Sequence, residues 1–336
     1  MALLEVEDLN TYFRSKNGIV KAVQGVTYSI EEGKTLGIMG ESGSGKSVSA
    51  MSILKLLPKQ GYIHSGKITL DGEDITKWNV KKMNRIRGKK ISVIFQEPMT
   101  SLNPVITIEH QIMEVYQIHE KCKKEEARKR AYEMLKKVQI ANPIEVAKGY
   151  PHQLSGGMRQ RIMIAMAFAC HPKILIADEP TTALDVTTQA QVLKLMNELK
   201  EKYQMSILFI SHDFGVIRQI ADEVAVMYAG QVVERVVAKD LYKKDALIHP
   251  YTKGLMEAVP TLTTNRKERL MTIPGCVPSP MEEIKGCRFA LRCKYCEDIC
   301  NKEMPDLIKV GVKHWIRCHR AKKFDCKSEK NEEVKR

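Results

Sequence analysis

Cysteine is scarce over most of this 336-residue chain. Only Cys122 and Cys170 precede residue 270, and the other seven cysteines lie between Cys276 and Cys326. This distribution excludes a chain held together throughout by disulfide bonds. In a reducing compartment, cysteines that cluster in this way favour metal ligation over disulfide formation.

Long apolar runs are also missing. The best candidate, residues 162–170, is far shorter than the roughly 20 apolar residues that a membrane-spanning helix needs. The opening residues MALLEVEDLN lack the basic leader of an export signal. We therefore expect a protein that stays in the cytoplasm.

Aromatic residues make up only 6% of the chain, whereas basic residues are in excess, with a formal net charge of +14. The positive residues are scattered, and no basic block alternates with aromatic residues as a nucleic-acid platform would require. We expect a solvated basic surface and no nucleic-acid partner. The 43% content of hydrophobic residues is typical of a globular protein.

The stretch GESGSGKS matches the phosphate-binding pattern G-x-x-x-x-G-K-[ST]. Residues 35–39 predict a buried strand before it, and residues 49–57 show helical spacing after it. Glycines let backbone N–H groups turn toward an anion at the positive end of a helix dipole. Lys46 is expected to contact the outer phosphates, and Ser47 to bind Mg²⁺. The predicted loop residues are Gly40, Glu41, Ser42, Gly43, Ser44, Gly45, Lys46 and Ser47.

Further buried strands are predicted at 91–95, 173–177 and 207–210, and each is followed by polar residues. In open α/β sheets, ligands bind at the carboxyl ends of the strands. We therefore expect these polar side chains to converge on one triphosphate and its magnesium ion. The residues are Gln96, Asp178, Glu179 and His212.

The chemistry expected of these residues follows from their types. Asp178 fits a Mg²⁺ ligand that acts through water, and Glu179 fits the general base that activates the attacking water. His212 could donate a hydrogen bond to a γ-phosphate oxygen. Paired acids after a strand also serve as helix caps, and a single histidine is often structural.

The central part of the chain predicts helices at 107–118 and 125–140 and no strands. We interpret it as a helical insertion at about residues 97–170. Ser155 is a natural helix N-cap, and Gly156 and Gly157 leave backbone amides exposed, so either a second phosphate site or an ordinary capped helix fits.

Outside the insertion, residues 2–35 predict short strands, and residues 224–237 predict a hairpin about Ala229-Gly230. Tyr12 and Phe13 lie ahead of a turn in the first of these segments. Either aromatic side chain could pack in the core or stack on a nucleobase.

Together, these motifs resemble those of the ATP-binding cassette ATPases over roughly residues 3–260. The resemblance implies an α/β fold of the P-loop NTPase type, with an antiparallel β subdomain and a helical insertion. It also implies a head-to-tail dimer, in which ATP on one cassette is capped by the signature loop of the other.

The resemblance also implies residue roles. Residues 40–47 resemble the Walker A loop and residues 174–179 the Walker B strand with its catalytic glutamate. Gln96 resembles the Q-loop residue, which also binds Mg²⁺. The remaining positions resemble the signature loop, the D-loop, the switch histidine and the adenine-stacking aromatic, with Tyr12 as fallback for the last. They are Ser155, Gly156, Gly157, Asp185, His212 and Phe13.

Within this family, the chain is similar to the ATPase subunits of dipeptide and oligopeptide importers. The similarity rests on residues 150–161, 177–186 and 249–252 and on the cysteine region. Met158 indicates the D-type member of a two-ATPase heterodimer. The implied partners are a second cassette, two membrane-spanning permeases and an extracytoplasmic substrate-binding protein, with this subunit peripheral on the cytoplasmic face of the membrane.

Other functions remain open at this stage. Some nickel importers share this lineage, so the cargo is not determined. A soluble cassette ATPase acting on nucleic acid or ribosomes is the alternative from another class. Such proteins commonly carry two cassettes or a long coiled-coil insertion, and the sequence shows neither.

The C-terminal cysteines align with a set that holds a [4Fe–4S] cluster in peptide importers. Four thiolates suit iron–sulfur chemistry and zinc equally, and free thiols are a third possibility. We expect a cysteine-rich extension at 261–320 and a charged, disordered tail at 321–336, and we treat Cys276, Cys296 and Cys326 as non-ligands. The predicted ligands are Cys287, Cys293, Cys300 and Cys318.

Overall fold

The computed structural model describes residues 2–96, 101–182, 184–243, 248–259 and 272–321. The strands are β1 (Ala2–Ser15), β2 (Gly18–Glu31), β3 (Thr35–Met39), β4 (Gly61–Leu70), β5 (Glu73–Asp74), β6 (Ile91–Ile94), β7 (Ile174–Asp178), β8 (Ser206–Ser211), β9 (Glu223–Tyr228), β10 (Gln231–Val237), β11 (Leu307–Gly311) and β12 (His314–Arg317). The helices are α1 (Lys46–Leu54), α2 (Val80–Ile86), α3 (Ile108–Glu120), α4 (Lys124–Lys137), α5 (Pro143–Lys148), α6 (Gly156–Phe168), α7 (Val186–Tyr203), α8 (Phe214–Ile220), α9 (Pro250–Glu257) and α10 (Asp298–Lys302).

The chain divides into two compact units. The first unit comprises Met1–Leu4, Ile30–Thr35 and Leu70–Ile210. The second unit comprises Glu5–Ser29, Leu36–Thr69 and Ser211–Arg336. Each unit therefore combines segments that are distant in the sequence.

The first unit contains three parallel strands and the predicted helical insertion. β7 pairs with β6 on one side and with β8 on the other. Every residue of β7 and β8 is buried, as expected for parallel strands that are covered on both faces. The helices α3, α4, α5 and α6 follow one another with no strand in the described residues 101–168, which confirms the helical reading of that stretch.

The second unit contains the phosphate-binding loop. Its strand β3 is fully buried and pairs in parallel with β9. β9 and β10 form the predicted hairpin, whose turn residues Ala229 and Gly230 both have positive φ. On the other side of β10, β12 pairs antiparallel with it, and β11 pairs with β12.

The strands β11 and β12 were not anticipated from the sequence, because both are short and only partly buried and their apolar alternation is weak. Their pairing shows that the segment after the last predicted hairpin continues the same sheet through β12. The proposed domain boundary at 260–261 lies in residues 260–271, outside the described part of the chain, and stays a prediction.

Several bounds differ from the sequence-based expectation. β1 and β2 are each 14 residues long, rather than short strands, because the two-residue turn at 16–17 lets one long hairpin form. Helix α1 begins at Lys46 and ends before Lys55, which adopts a left-handed conformation. Phe95, expected in a buried strand, is 41% exposed because β6 ends one residue earlier.

The described part of the chain ends at Ala321, the first residue of the tail that we expect to be disordered. His319–Ala321 form a 3₁₀ turn, and Ala321 is buried. Residues 322–336, including Cys326, lie outside the described part. None of the helices in the described ranges combines the length and the apolar character needed to cross a membrane.

Candidate nucleotide site

The phosphate-binding loop connects β3 to α1, as the sequence predicted. Gly40, Gly43 and Gly45 all have positive φ, which lets the loop fold back over the start of the helix. A Cβ atom at Gly40 would lie 2.1 Å from the carbonyl oxygen of Met227, so only glycine fits there. The loop backbone is thus forced into an anion-binding shape by the residues beneath it.

Lys46 closes this loop. Its buried Nζ donates hydrogen bonds to the carbonyl oxygens of Gly40 at 2.8 Å and Glu41 at 3.0 Å. The Ser44 hydroxyl is buried and, within the described structure, has no hydrogen-bond partner. A buried polar atom without a partner in a loop rich in amides is what a bound phosphate would satisfy, so these residues fit a nucleotide.

In the first unit, Gln96 and Glu179 lie together as predicted. The Gln96 Nε2 donates to the Glu179 Oε2 at 3.2 Å, and the Thr182 hydroxyl donates to the same oxygen at 3.1 Å. Two neutral donors thereby hold one carboxylate oxygen. The Glu179 side chain is only half-buried, so a water molecule or a substrate can still reach its carboxylate.

The backbone at the end of β7 carries strain. Asp178 is buried at the last position of the strand, and Glu179 adopts a left-handed φ of 46°. This conformation costs a non-glycine residue about 1 kcal/mol. The Glu179 N–H bonds to the Ile210 carbonyl at 3.0 Å, which holds the residue in that conformation. Strain retained in this way is common at functional sites.

His212 and Phe13 occupy less constrained positions in the second unit. His212 is exposed directly after β8, and the following Asp213 caps α8 by accepting from Gly215 N at 2.6 Å. Phe13 is half-buried near the end of β1, where its ring would meet a Cβ atom placed on Gly61. Tyr12 stacks on His64 at 4.7 Å between ring centroids, so it already has a ring partner.

The signature-like loop opens helix α6. The Ser155 hydroxyl accepts from Met158 N at 3.3 Å and so is the predicted N-cap. Gly156 is exposed, and a Cβ atom added to it would meet no atom within 4 Å, whereas a Cβ on Gly157 would lie 2.8 Å from the Thr188 methyl carbon. Gly157 therefore lets α6 approach α7 closely. At Gly156, the start of α6 is not covered by other residues of the described chain.

Asp185 caps the neighbouring helix α7. Its carboxylate accepts from Thr188 N at 2.9 Å and from the Thr188 hydroxyl at 2.6 Å, and these bonds lower the pKa of Asp185. The next residue, Val186, is 83% exposed. The contact between Gly157 and Thr188 thus brings the Asp185 segment beside the signature-like loop. Ala183, two positions before Asp185, lies outside the described residues.

The four predicted cysteine ligands lie in one neighbourhood. Cys287 N bonds to the Cys300 carbonyl at 2.7 Å, and Cys300 is buried. Burial, with smaller contributions from the nearby thiols of Cys300, Cys318 and Cys293, raises the pKa of the Cys287 thiol to about 11. In the part of the chain that is described, however, no group of three or more His, Cys, Asp or Glu side chains is arranged to hold a metal ion.

Sequence reasoning missed the residues that surround Glu41. The Tyr251 hydroxyl accepts from Glu41 N at 2.8 Å, and the Arg292 guanidinium binds the Glu41 carboxylate. Tyr251 belongs to the motif at 249–252, which by sequence alone indicates only a family resemblance. No local pattern reveals such pairs, because their members are more than 200 positions apart.

Comparison with known proteins gives two family matches. Residues 23–182 match the ABC transporter family, and residues 233–300 match the oligopeptide/dipeptide transporter C-terminal region. Together, these matches cover both the phosphate-binding loop and most of the cysteine region.

Relatives match nearly the whole chain. It is 48% identical to the oligopeptide transport ATP-binding protein OppD of Bacillus subtilis, over 94% of this chain and 88% of that protein. It is 44% identical to the dipeptide transport ATP-binding protein DppD of Escherichia coli, over 95% and 97%. A probable peptide ABC transporter ATP-binding protein of Sinorhizobium fredii is 47% identical, over 95% of each chain.

Solved structures confirm the fold class. The ATP-binding cassette MJ0796, in a dimeric post-hydrolysis state bound to ADP and Pi, is similar with a TM-score of 0.64 and 29% identity. The match covers 70% of this chain and 98% of the cassette. A cassette of Clostridium perfringens, cbiO1, described as part of the cbiONQ transporter complex, has a TM-score of 0.61 and 27% identity, over 72% and 90%.

Proposed function

Because this chain belongs to the ATP-binding cassette family, in its branch of oligopeptide and dipeptide transport ATP-binding subunits, we propose that it hydrolyses ATP to power peptide import through a membrane permease. The observation that carries the catalytic part is the Gln96–Glu179 hydrogen bond at the end of a fully buried strand. The peptide cargo is supported by the names of the relatives and by the C-terminal family match.

On the binding side, Lys46 contacts the outer phosphates, and the loop amides bind their oxygens. Phe13 stacks on the adenine. Ser47, Asp178 and Gln96 are the residues that would hold Mg²⁺. When bound, the ion neutralises charge on the β- and γ-phosphates.

On the chemical side, Glu179 accepts a proton from the attacking water. The bonds from Gln96 and Thr182 orient its carboxylate, so the proton acceptor is positioned before the substrate arrives. His212 donates a hydrogen bond to a γ-phosphate oxygen, where negative charge accumulates.

We further propose that Ser155, Gly156 and Gly157 cap the ATP of a second cassette. The open face at Gly156 supports this assignment, because an uncovered helix N-terminus can bind the phosphates of a nucleotide. The second cassette is a related, non-identical subunit. The assembly is completed by two permeases and an extracytoplasmic substrate-binding protein, with this chain on the cytoplasmic face.

Substitution of the proposed base tests the function. In the assembled transporter, Glu179→Gln should retain ATP binding and lose turnover by about 100-fold or more, because glutamine keeps the shape but accepts no proton. ATP binding and steady-state phosphate release are measured on the same preparation. Glu201→Gln, in an exposed position on α7, is the matched control. Wild-type turnover in Glu179→Gln would exclude the base assignment.

The cysteine cluster is a separate proposal. We propose that Cys287, Cys293, Cys300 and Cys318 hold a [4Fe–4S] cluster, with zinc as the alternative. The proximity of these cysteines supports it, because the Cys287 N–H bonds to the Cys300 carbonyl at 2.7 Å, and the chemistry of four cysteine thiolates suits either metal group. The group, when bound, would cross-link the segment; ATP hydrolysis requires no electron transfer.

Metal analysis decides between the two. Chain purified without oxygen should be coloured and carry about four iron atoms, and a Cys293→Ser/Cys300→Ser variant should lose the colour. Cys276→Ser is the control, because Cys276 is exposed and was predicted to be a non-ligand. Colourless protein with one zinc ion would show that the site holds zinc instead of the cluster. Metal-free protein would exclude both.

A further inference from the structure

The second residue of the phosphate-binding loop carries a carboxylate that is paired with a distant arginine. Arg292 Nη1 lies 2.7 Å from Glu41 Oε2, and Arg292 Nη2 lies 3.0 Å from Glu41 Oε1. The Arg292 side chain is only 5% exposed and that of Glu41 29%. A two-point, largely buried pair of this kind is strong and directional.

The arginine is itself held in place. Its Nε donates to the Pro274 carbonyl at 2.8 Å, and its Nη2 also donates to the Ile273 carbonyl at 3.3 Å. Its Nη1 lies 3.4 Å from the Tyr228 hydroxyl. The Arg292 side chain is therefore already restricted by these bonds, so its pairing with Glu41 costs little further conformational entropy.

The backbone of Glu41 is fixed as well. Its N–H donates to the Tyr251 hydroxyl at 2.8 Å, and its carbonyl accepts from Lys46 Nζ at 3.0 Å. Tyr251 packs against the rings of Tyr228 and Phe289, with centroids 4.7 and 5.4 Å away. One residue thus connects the cysteine-rich segment, through Arg292, to the lysine proposed to bind phosphate.

The charge at this position needs a partner. A carboxylate within a loop that binds a polyanion repels the ligand, and the repulsion is strong where water is largely excluded. A guanidinium that bonds to both carboxylate oxygens neutralises that negative charge within the pair. Loss of the arginine would leave the Glu41 carboxylate charged and its side chain free to move.

We propose that Arg292 is a positioning residue for ATP: it neutralises Glu41 and fixes the loop geometry from which Lys46 contacts the phosphates. The cysteine-rich segment is then a part of the nucleotide site's support. This inference rests on the ATPase function proposed above, and it holds with any occupant of the cysteines.

A double-mutant cycle in the full-length chain tests it. Affinities for MgADP and for the Mg²⁺ complex of non-hydrolysable AMP-PNP are measured by calorimetry, with unfolding temperatures recorded in parallel. Arg292→Ala should weaken AMP-PNP binding about tenfold, and MgADP binding less, since ADP carries less charge. When Glu41→Gln is already present, Arg292→Ala should change the logarithm of the AMP-PNP affinity by less than half as much. The reason is that no carboxylate remains to be neutralised.

Two further variants keep the test decisive. Arg292→Lys retains charge but not two-point bonding, so it should weaken AMP-PNP binding about threefold, and it replaces the alanine variant if that chain does not fold. Lys294→Ala removes an exposed cation two positions away and should bind as wild type.

The possible results separate the role of Arg292 from the ATPase function. Wild-type affinity in folded Arg292→Ala would overturn the inference while leaving the ATPase function intact, and so would a loss that is equally large with and without the Glu41→Gln change. A wild-type chain that binds neither nucleotide would overturn the ATPase function and this inference with it.

Discussion

The phosphate-binding loop and the signature-like loop both place glycines before a helix, yet they differ in how much of their own chain surrounds them. Around the first loop, the Met227 carbonyl leaves no space for a Cβ atom on Gly40, and Lys46 is buried. In the second loop, Gly156 is exposed, and space is open where a side chain on it would be.

This difference shows which contacts each loop obtains from its own chain. The first loop contacts its own chain on two sides. Met227 of β9 packs against Gly40, and Tyr251 and Arg292 bond to Glu41. The second is a helix N-terminus at which Gly156 is exposed and an added Cβ would meet no atom within 4 Å, in keeping with the proposal that its ligand belongs to a second cassette. Two similar sequence patterns therefore differ in burial, and the roles proposed for them differ accordingly.

One substitution in each loop should distinguish the supported loop from the open loop. Gly40→Ala places a methyl group 2.1 Å from the Met227 carbonyl and imposes a φ of 149° on alanine, so it should cost about 3 kcal/mol and abolish nucleotide binding. Gly156→Ala should leave stability within about 0.5 kcal/mol and nucleotide binding unchanged. In the assembled transporter, it should slow ATP hydrolysis about 100-fold by displacing the partner's nucleotide.

Chemical unfolding, calorimetry of nucleotide binding and phosphate release separate these effects. If Gly156→Ala unfolded the chain, or if Gly40→Ala bound ATP normally, the contrast between a supported loop and an open loop would be wrong.

The support of the first loop should also be sensitive to acid. His249 accepts from Tyr251 N at 3.1 Å, and burial lowers its pKa to about 3 from 6.5. Because the unfolded chain binds the proton more readily, the stability contributed by neutral His249 is present above pH 6.5 and is lost as the pH falls toward 3. The loss should be about 2 kcal/mol between pH 7 and pH 5.

His249→Asn isolates this contribution, since asparagine can accept the same hydrogen bond without titrating. Urea unfolding across this pH range should give a shallower pH dependence for the variant than for wild type. Parallel curves for the two proteins would rule out His249 as the source.

The smallest effect concerns the contact beneath the open loop. Gly157→Ala should cost about 1 kcal/mol, because its Cβ would lie 2.8 Å from the Thr188 methyl carbon. Thr188→Ser removes that methyl while keeping the hydroxyl that bonds Asp185 at 2.6 Å. The double variant should recover most of the loss in thermal unfolding, and an additive loss would show that the crowding arises elsewhere.

Much of the framework was predictable from local pattern. The strand, glycine loop and helix around Lys46, the hairpin at Ala229-Gly230 and the cap at Ser155 all depend on residues within a few positions of one another. The Gln96–Glu179 contact was predicted from topology, because neighbouring parallel strands end at one edge of the sheet. The lengths of β1 and β2 were missed, because a continuous hairpin differs from two short strands only in the pairing of distant residues.

What the sequence determined by itself was the chemistry: which side chains can bind phosphate, accept a proton or cap a helix, and in what order the elements occur. The tertiary structure decided the surroundings of those side chains. Glu41 became a paired group because Arg292, 251 positions later, is folded onto it. Gly40 became irreplaceable because of the Met227 carbonyl. Burial and charge pairing depend on distances in space, and separation along the chain does not specify them.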